Sequence, residues 1–134
     1  MPVPSPDALR VLIVDDCPDT ADILAALLDR QGYDVRVVYD PCAAIKAAAE
    51  FRPHAALLDI CMPECDGYSL ARTFRRSTEL GAIRLIAVTG YADEPHRDRA
   101  AESGFDVYVV KPYSVDALKE AINAAPREPG QANC

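Results

Sequence analysis

Five polar side chains stand where short apolar runs end: Asp15 and Asp16, Asp59, Thr89 and Lys111. Three carboxylates brought together repel one another and raise one another's pKa. A bound divalent cation resolves that repulsion. An all-oxygen donor set suits Mg²⁺, which keeps several waters and takes few carboxylates together with phosphate oxygens. A hydroxyl from Thr89 and an ammonium from Lys111, turned to the same place, can hold a phosphoryl oxygen. Charge-assisted bonds of that kind contribute about 1.5–3 kcal/mol each. Each residue also has a plainer reading when taken alone. Asp15 or Asp16 can cap the helix that follows, Thr89 can simply end a strand, and Lys111 can be a solvated charge.

The pattern around these residues predicts the elements that carry them. Five β-branched runs read as strands: residues 10–15 (RVLIVD), 34–39, 54–58, 83–88 and 106–110. Amphipathic stretches alternate with them at residues 18–31, 41–51, 66–76, 93–103 and 114–124. In the first, Pro18 suits an opening turn, Gly32 suits the stop, and Leu24, Leu27, Leu28 and Gln31 are expected on one face. Asp40 reads as an N-cap with Pro41 at the first helical position. Leu70 and Phe74 lie one turn apart, and Ser114 caps a last helix with Leu118 and Ile122 inward. Strand–helix alternation five times over implies an α/β fold, a parallel sheet with helices on both faces. Right-handed crossovers leave few topologies, and a doubly wound five-stranded sheet in the order 2-1-3-4-5 is expected. Ligands of such sheets bind beyond the carboxyl ends of the strands, at the switch in strand order. That switch lies between the first and third strands, which end in Asp15-Asp16 and Asp59.

The ordered set Asp15-Asp16, Asp59, Met62-Pro63, Asp66-Gly67, Thr89-Gly90 and Lys111-Pro112 resembles the receiver domain of bacterial two-component response regulators. The resemblance covers residues 11–122 and implies a flavodoxin-like (βα)5 fold. It implies that Asp59 is phosphorylated by a partner phosphohistidine, on a histidine kinase or a histidine phosphotransfer protein. It implies Mg²⁺ held directly by Asp16 and Asp59, with Asp15 acting through water and the backbone carbonyl of Cys61 completing the protein ligands. Lys111 would contact the phosphoryl group, Thr89 would be the switch hydroxyl, and Tyr108 the switch aromatic. A strand tyrosine half-buried for packing is the plainer reading of Tyr108. The resemblance also implies a cis Lys111–Pro112 bond. It sets Cys61 and Tyr91 beside the path of hydrolytic water, which suggests slow loss of phosphate. A downstream protein would read the switched surface, and the chain would modify only itself rather than turn over a substrate. The pattern between Val88 and Lys111 is also similar to receivers of hybrid histidine kinases, so a phosphorelay intermediate stays open.

Composition bounds the partners. The chain has 134 residues, with 21 Asp and Glu against 14 Lys and Arg, a net charge of −7, and half of its residues apolar. One domain is expected, spanning residues 8–125, between a flexible segment at 1–7 and a flexible tail at 126–134. The acidic balance argues against a direct nucleic-acid footprint or a polybasic membrane contact. No apolar run approaches the ~18 residues that span a bilayer, and residues 1–10 lack a signal-peptide pattern, so a cytoplasmic protein is expected. Five cysteines at irregular spacing, with two histidines far from the Cys61/Cys65 pair, suit free thiols better than disulfides or zinc. A haloacid-dehalogenase-type phosphatase would need a D-x-D strand end, and a flavodoxin-like cofactor binder a Ser/Thr/Gly-rich phosphate loop. Neither motif is present. A pseudo-receiver that only docks would not need the intact acids, Thr89 and Lys111.

Overall fold

The computed structural model describes residues 9–60, 67–78, 80–90, 94–111 and 113–123. Within them the strands β1 (Arg10–Val14), β2 (Asp34–Val38), β3 (Ala55–Asp59), β4 (Arg84–Thr89) and β5 (Val107–Val110) form one parallel sheet in the order β2-β1-β3-β4-β5. Five helices alternate with the strands: α1 (Pro18–Arg30), α2 (Ala44–Phe51), α3 (Gly67–Arg76), α4 (Glu94–Ser103) and α5 (Val115–Asn123). The expected topology is the one observed. The expected flexible segments at 1–7 and 126–134, Cys61, Tyr91 and the Lys111–Pro112 bond lie outside the described residues.

The central strands are buried on both faces, as parallel strands flanked by helices must be. Their side chains alternate accordingly. Leu12, Val14, Ala56, Leu58, Leu85 and Ala87 meet Ala48 of α2, Leu70, Ala71 and Phe74 of α3 and Ala100 of α4. Val11, Ile13, Ala55, Leu57, Ile86 and Val88 meet Leu24 and Leu28 of α1 and Leu118 and Ile122 of α5.

Two local readings change. The buried stripe of α1 is Ala21, Leu24 and Leu28, whereas Gln31 is exposed. The helix ends one residue before Gln31, and Gly32, at φ +96°, turns the chain toward β2. Asp40 does cap, accepting the Cys42 N–H at 2.9 Å, but the turn it starts is a 3-10 turn over Pro41–Ala43. The Ala43 N–H reaches the Asp40 carbonyl at 3.0 Å, the i→i+3 bond that defines such a turn. α2 begins only after it.

On one side of the molecule, α4 is tied to α3 through polar groups. It buries only Ala100 and Ser103. Arg72 of α3 donates to the Ser103 hydroxyl at 3.1 Å. Arg75 donates to the carbonyls of Gly104, Gly81 and Ile83 at 2.9, 2.9 and 2.6 Å and pairs with the Asp106 carboxylate at 2.6 Å. The same carboxylate oxygen accepts the Leu85 N–H at 2.9 Å, so one arginine joins α3, β4 and the approach to β5.

Candidate functional site

β1 and β3 are adjacent and parallel, with Val14 in register with Leu58, so the acids that follow them emerge side by side. Oxygen atoms of Asp15, Asp16 and Asp59 lie within 4.8 Å of one another. Asp15 is buried, while Asp16 and Asp59 are half-buried. One oxygen of Asp15 accepts the Cys17 N–H at 3.0 Å, and Cys17 is the N-cap residue of α1. Asp15 therefore holds the residue that precedes α1 but does not cap the helix, contrary to the plainer reading, because Cys17 is the N-cap and no side chain caps it; Asp15 is also a member of the acid cluster. The donor set is hard oxygen throughout, which fits Mg²⁺.

Lys111 follows β5, and its N–H donates to the Thr89 carbonyl at 2.7 Å, which fixes where the lysine leaves the sheet. A small cavity of about 10 Å³ lies below the acids, lined among others by Asp15, Thr20, Asp59, Lys111 and Tyr113. That is about the room of one water molecule. Its walls belong to the α1 and α5 face of the sheet, where Ile13, Leu57 and Val88 also point.

Thr89 is buried but does not line this cavity. It follows the alternation of Leu85 and Ala87, which face α3 and α4. Tyr108 is in register with Ala87 and packs against that same core. Thr89 and Tyr108 thus share the α3–α4 face, while Asp15, Asp59 and Lys111 meet on the other side of the strand ends. The Arg97 guanidinium of α4 lies over the Tyr108 ring, 4.8 Å from its centroid.

Tyr113 is a site residue that the sequence reading did not single out. Burial raises its phenol above the ordinary tyrosine pKa, and the Asp15 and Asp59 carboxylates raise it further. It stays a neutral hydroxyl beside the acids. The signal in the sequence was its position two residues after Lys111.

Residues 11–123 match the family model described as the response regulator receiver domain. The chain is 34% identical over 115 residues to the DNA-binding response regulator MtrA of Mycolicibacterium smegmatis, covering 86% of this chain and 49% of that protein. It spans about half the length of the DNA-binding regulators it matches. Among solved structures, the signal receiver domain of a signal transduction histidine kinase from Syntrophus aciditrophicus superposes with a TM-score of 0.78 at 31% identity, covering 86% of this chain and 87% of that one. The receiver domain of the sensor histidine kinase PA1611 from Pseudomonas aeruginosa PAO1 gives a TM-score of 0.78 at 30% identity, covering 86% and 94%. That structure holds a magnesium ion coordinated in its active site cleft.

Proposed function

Because the chain belongs to the response regulator receiver domain family, we propose that Asp59 accepts a phosphoryl group from the phosphohistidine of a histidine kinase or histidine phosphotransfer protein. The observation that carries this reading is the meeting of Asp15, Asp16 and Asp59 at the ends of β1 and β3, beside Lys111. An Asp59 oxygen attacks phosphorus, the P–N bond to the donor imidazole breaks, and its electron pair returns to that nitrogen. The product is an aspartyl phosphate. Phosphoryl transfer asks the protein mainly for position and charge neutralisation. Asp16 and Asp59 would hold Mg²⁺ directly and Asp15 through water, and the ion would offset the phosphoryl charge. Lys111 supplies a second positive charge. Asp15, by gripping Cys17, keeps the acid pair and α1 in fixed relation. Tyr113 stays protonated and adds no further negative charge. The chain acts on itself and is not a turnover enzyme in this reading.

The output is a surface. Thr89 can bond a phosphoryl oxygen only by moving toward the acid side of the sheet, which opens space beside Tyr108. With a net charge of −7, the reader of that surface is a protein. The DNA-binding role in the names of the longer regulators is not carried over to this chain. A second reading, a phosphorelay intermediate or the receiver of a hybrid kinase, is favoured by the similarity to two histidine-kinase receivers. Incubation with phosphoramidate and Mg²⁺ tests the shared core of both. One phosphoryl mass should appear in the intact protein, need Mg²⁺ and vanish in Asp59→Asn; equal labelling of the variant would overturn the assignment.

A further inference from the structure

α4 is tied to α3 in both halves: near its start the Tyr68 hydroxyl of α3 donates to the His96 carbonyl at 3.4 Å. Its C-terminal half is fastened to α3 by the Arg72–Ser103 bond, by Arg75 on the Gly104 carbonyl, and by Arg99, whose guanidinium lies 4.4 Å from the centroid of the Tyr68 ring. Toward β5 the helix reaches with Arg97, set over Tyr108. Arg97 is exposed and Tyr108 is half-buried, so the guanidinium covers the open side of the ring. An arginine on an aromatic face is attracted by the ring quadrupole as well as by contact. Tyr108 shares its face of the sheet with Thr89, the buried hydroxyl at the end of β4.

We propose that Arg97 is a positioning residue that latches Tyr108 against α4 and so biases the protein toward its unphosphorylated arrangement. The proposal rests on the phosphoacceptor reading above. For Tyr108 to follow Thr89 inward, its ring must leave the Arg97 guanidinium, and α4 loses that contact with β5 in the same step. A ligand that selects the inward arrangement then binds with an affinity reduced by the scarcity of that arrangement. Releasing the latch raises the affinity. An exposed cation–π pair corresponds to a change of about two- to fivefold.

The test uses the full chain with beryllofluoride and Mg²⁺, titrated by NMR. Arg97→Gln should bind beryllofluoride about two- to fivefold more tightly than the parent, and Arg97→Lys, which keeps a cation over the ring, should lie between them. Arg99→Gln removes the same charge from the same helix but sits on Tyr68, and should not reproduce the effect. In a Tyr108→Ala background, Arg97→Gln should change nothing. In the ligand-free parent, the Arg97 side-chain resonances should show a ring-current shift that disappears in Tyr108→Ala. Equal effects of Arg97→Gln and Arg99→Gln, or an effect that persists without the Tyr108 ring, would overturn the latch. Failure of the parent to bind beryllofluoride at all would instead refute the phosphoacceptor reading, and the ring-current measurement would still decide whether the contact exists.

Discussion

Gly67 opens α3 directly beneath Asp59. A Cβ at this position would lie 2.8 Å from both the Asp59 carbonyl oxygen and the Ile60 Cα, and 3.3 Å from the Asp59 carbonyl carbon. These are backbone atoms, so no flexible side chain can yield. Ordinary contact begins near 3.4 Å, and the strand end or the helix must retreat by about 0.6 Å. The Gly67 N–H also donates to the Ile60 carbonyl at 3.0 Å, which holds the two backbones together. Overpacking of this kind costs about 1–3 kcal/mol. Alanine in place of glycine returns at most about 1 kcal/mol of helix propensity. Gly67 is the first residue of α3, where little of that interior propensity is returned, so a net cost of about 1–2 kcal/mol remains and Gly67→Ala should lower the melting temperature by about 3–10 °C. A displacement of about 1 Å at a reacting group can cost about a hundredfold in rate, so phosphoramidate labelling should slow about tenfold. Circular dichroism melts and a labelling time course by intact mass measure both effects. Gly90→Ala is the stability control, because its Cβ would meet open space and should leave the melt unchanged. A Gly67→Ala protein that melts and labels like the parent would refute the reasoning. One that is destabilised but labels at the parent rate would show that Gly67 packs α3 without positioning Asp59.

Arg75→Leu removes the guanidinium paired with the largely buried Asp106 carboxylate, and breaking such a pair costs about 3–5 kcal/mol, readable as a lower urea midpoint at unchanged slope. His54 accepts the Arg10 N–H through Nδ1 at 3.0 Å, and burial, then the Arg10 charge, lowers its pKa. The unfolded chain therefore binds a proton more readily, near pH 6.5, so stability is full above that pH and declines as pH falls toward the folded value. Denaturation midpoints measured between pH 7.5 and 5, each about a unit or more from the unfolded value, should show this decline, and His54→Asn should flatten it. Tyr113 should ionise above the ordinary tyrosine range in an ultraviolet pH titration, and Asp59→Asn should bring its pKa down, because one of the carboxylates that raises it is gone.

Much of this was legible in the chain because it is local. Apolar runs that end in Asp15-Asp16, Asp59 and Lys111 name both the strands and the edge at which those residues emerge, and the topology does the rest. Asp40 and Ser114 were readable as caps for the same reason: each bonds an N–H two or three residues on. What the pattern could not show is long-range or sub-ångström. Arg75 and Asp106 are 31 residues apart, with no local signature linking them. The need for glycine at position 67 comes from the backbone of β3 and not from its neighbours in α3. Parity along β4, which turns Thr89 to the α3–α4 face and away from the Lys111 cavity, is a register property that the Thr89-Gly90 motif does not carry. The face of α1 was misassigned at Gln31 because helical spacing says which residues align but not where the helix stops.

The central claim is that Asp59, among three neighbouring carboxylates, is the one that becomes an acyl phosphate. Borohydride reduces an acyl phosphate to the alcohol, so an aspartyl phosphate is recovered as homoserine. The protein is labelled with phosphoramidate and Mg²⁺, reduced, digested and sequenced by mass spectrometry. Homoserine at position 59, dependent on Mg²⁺, is the predicted result. Homoserine at position 15 or 16, or none in a protein that still carries the added phosphoryl mass, would contradict it.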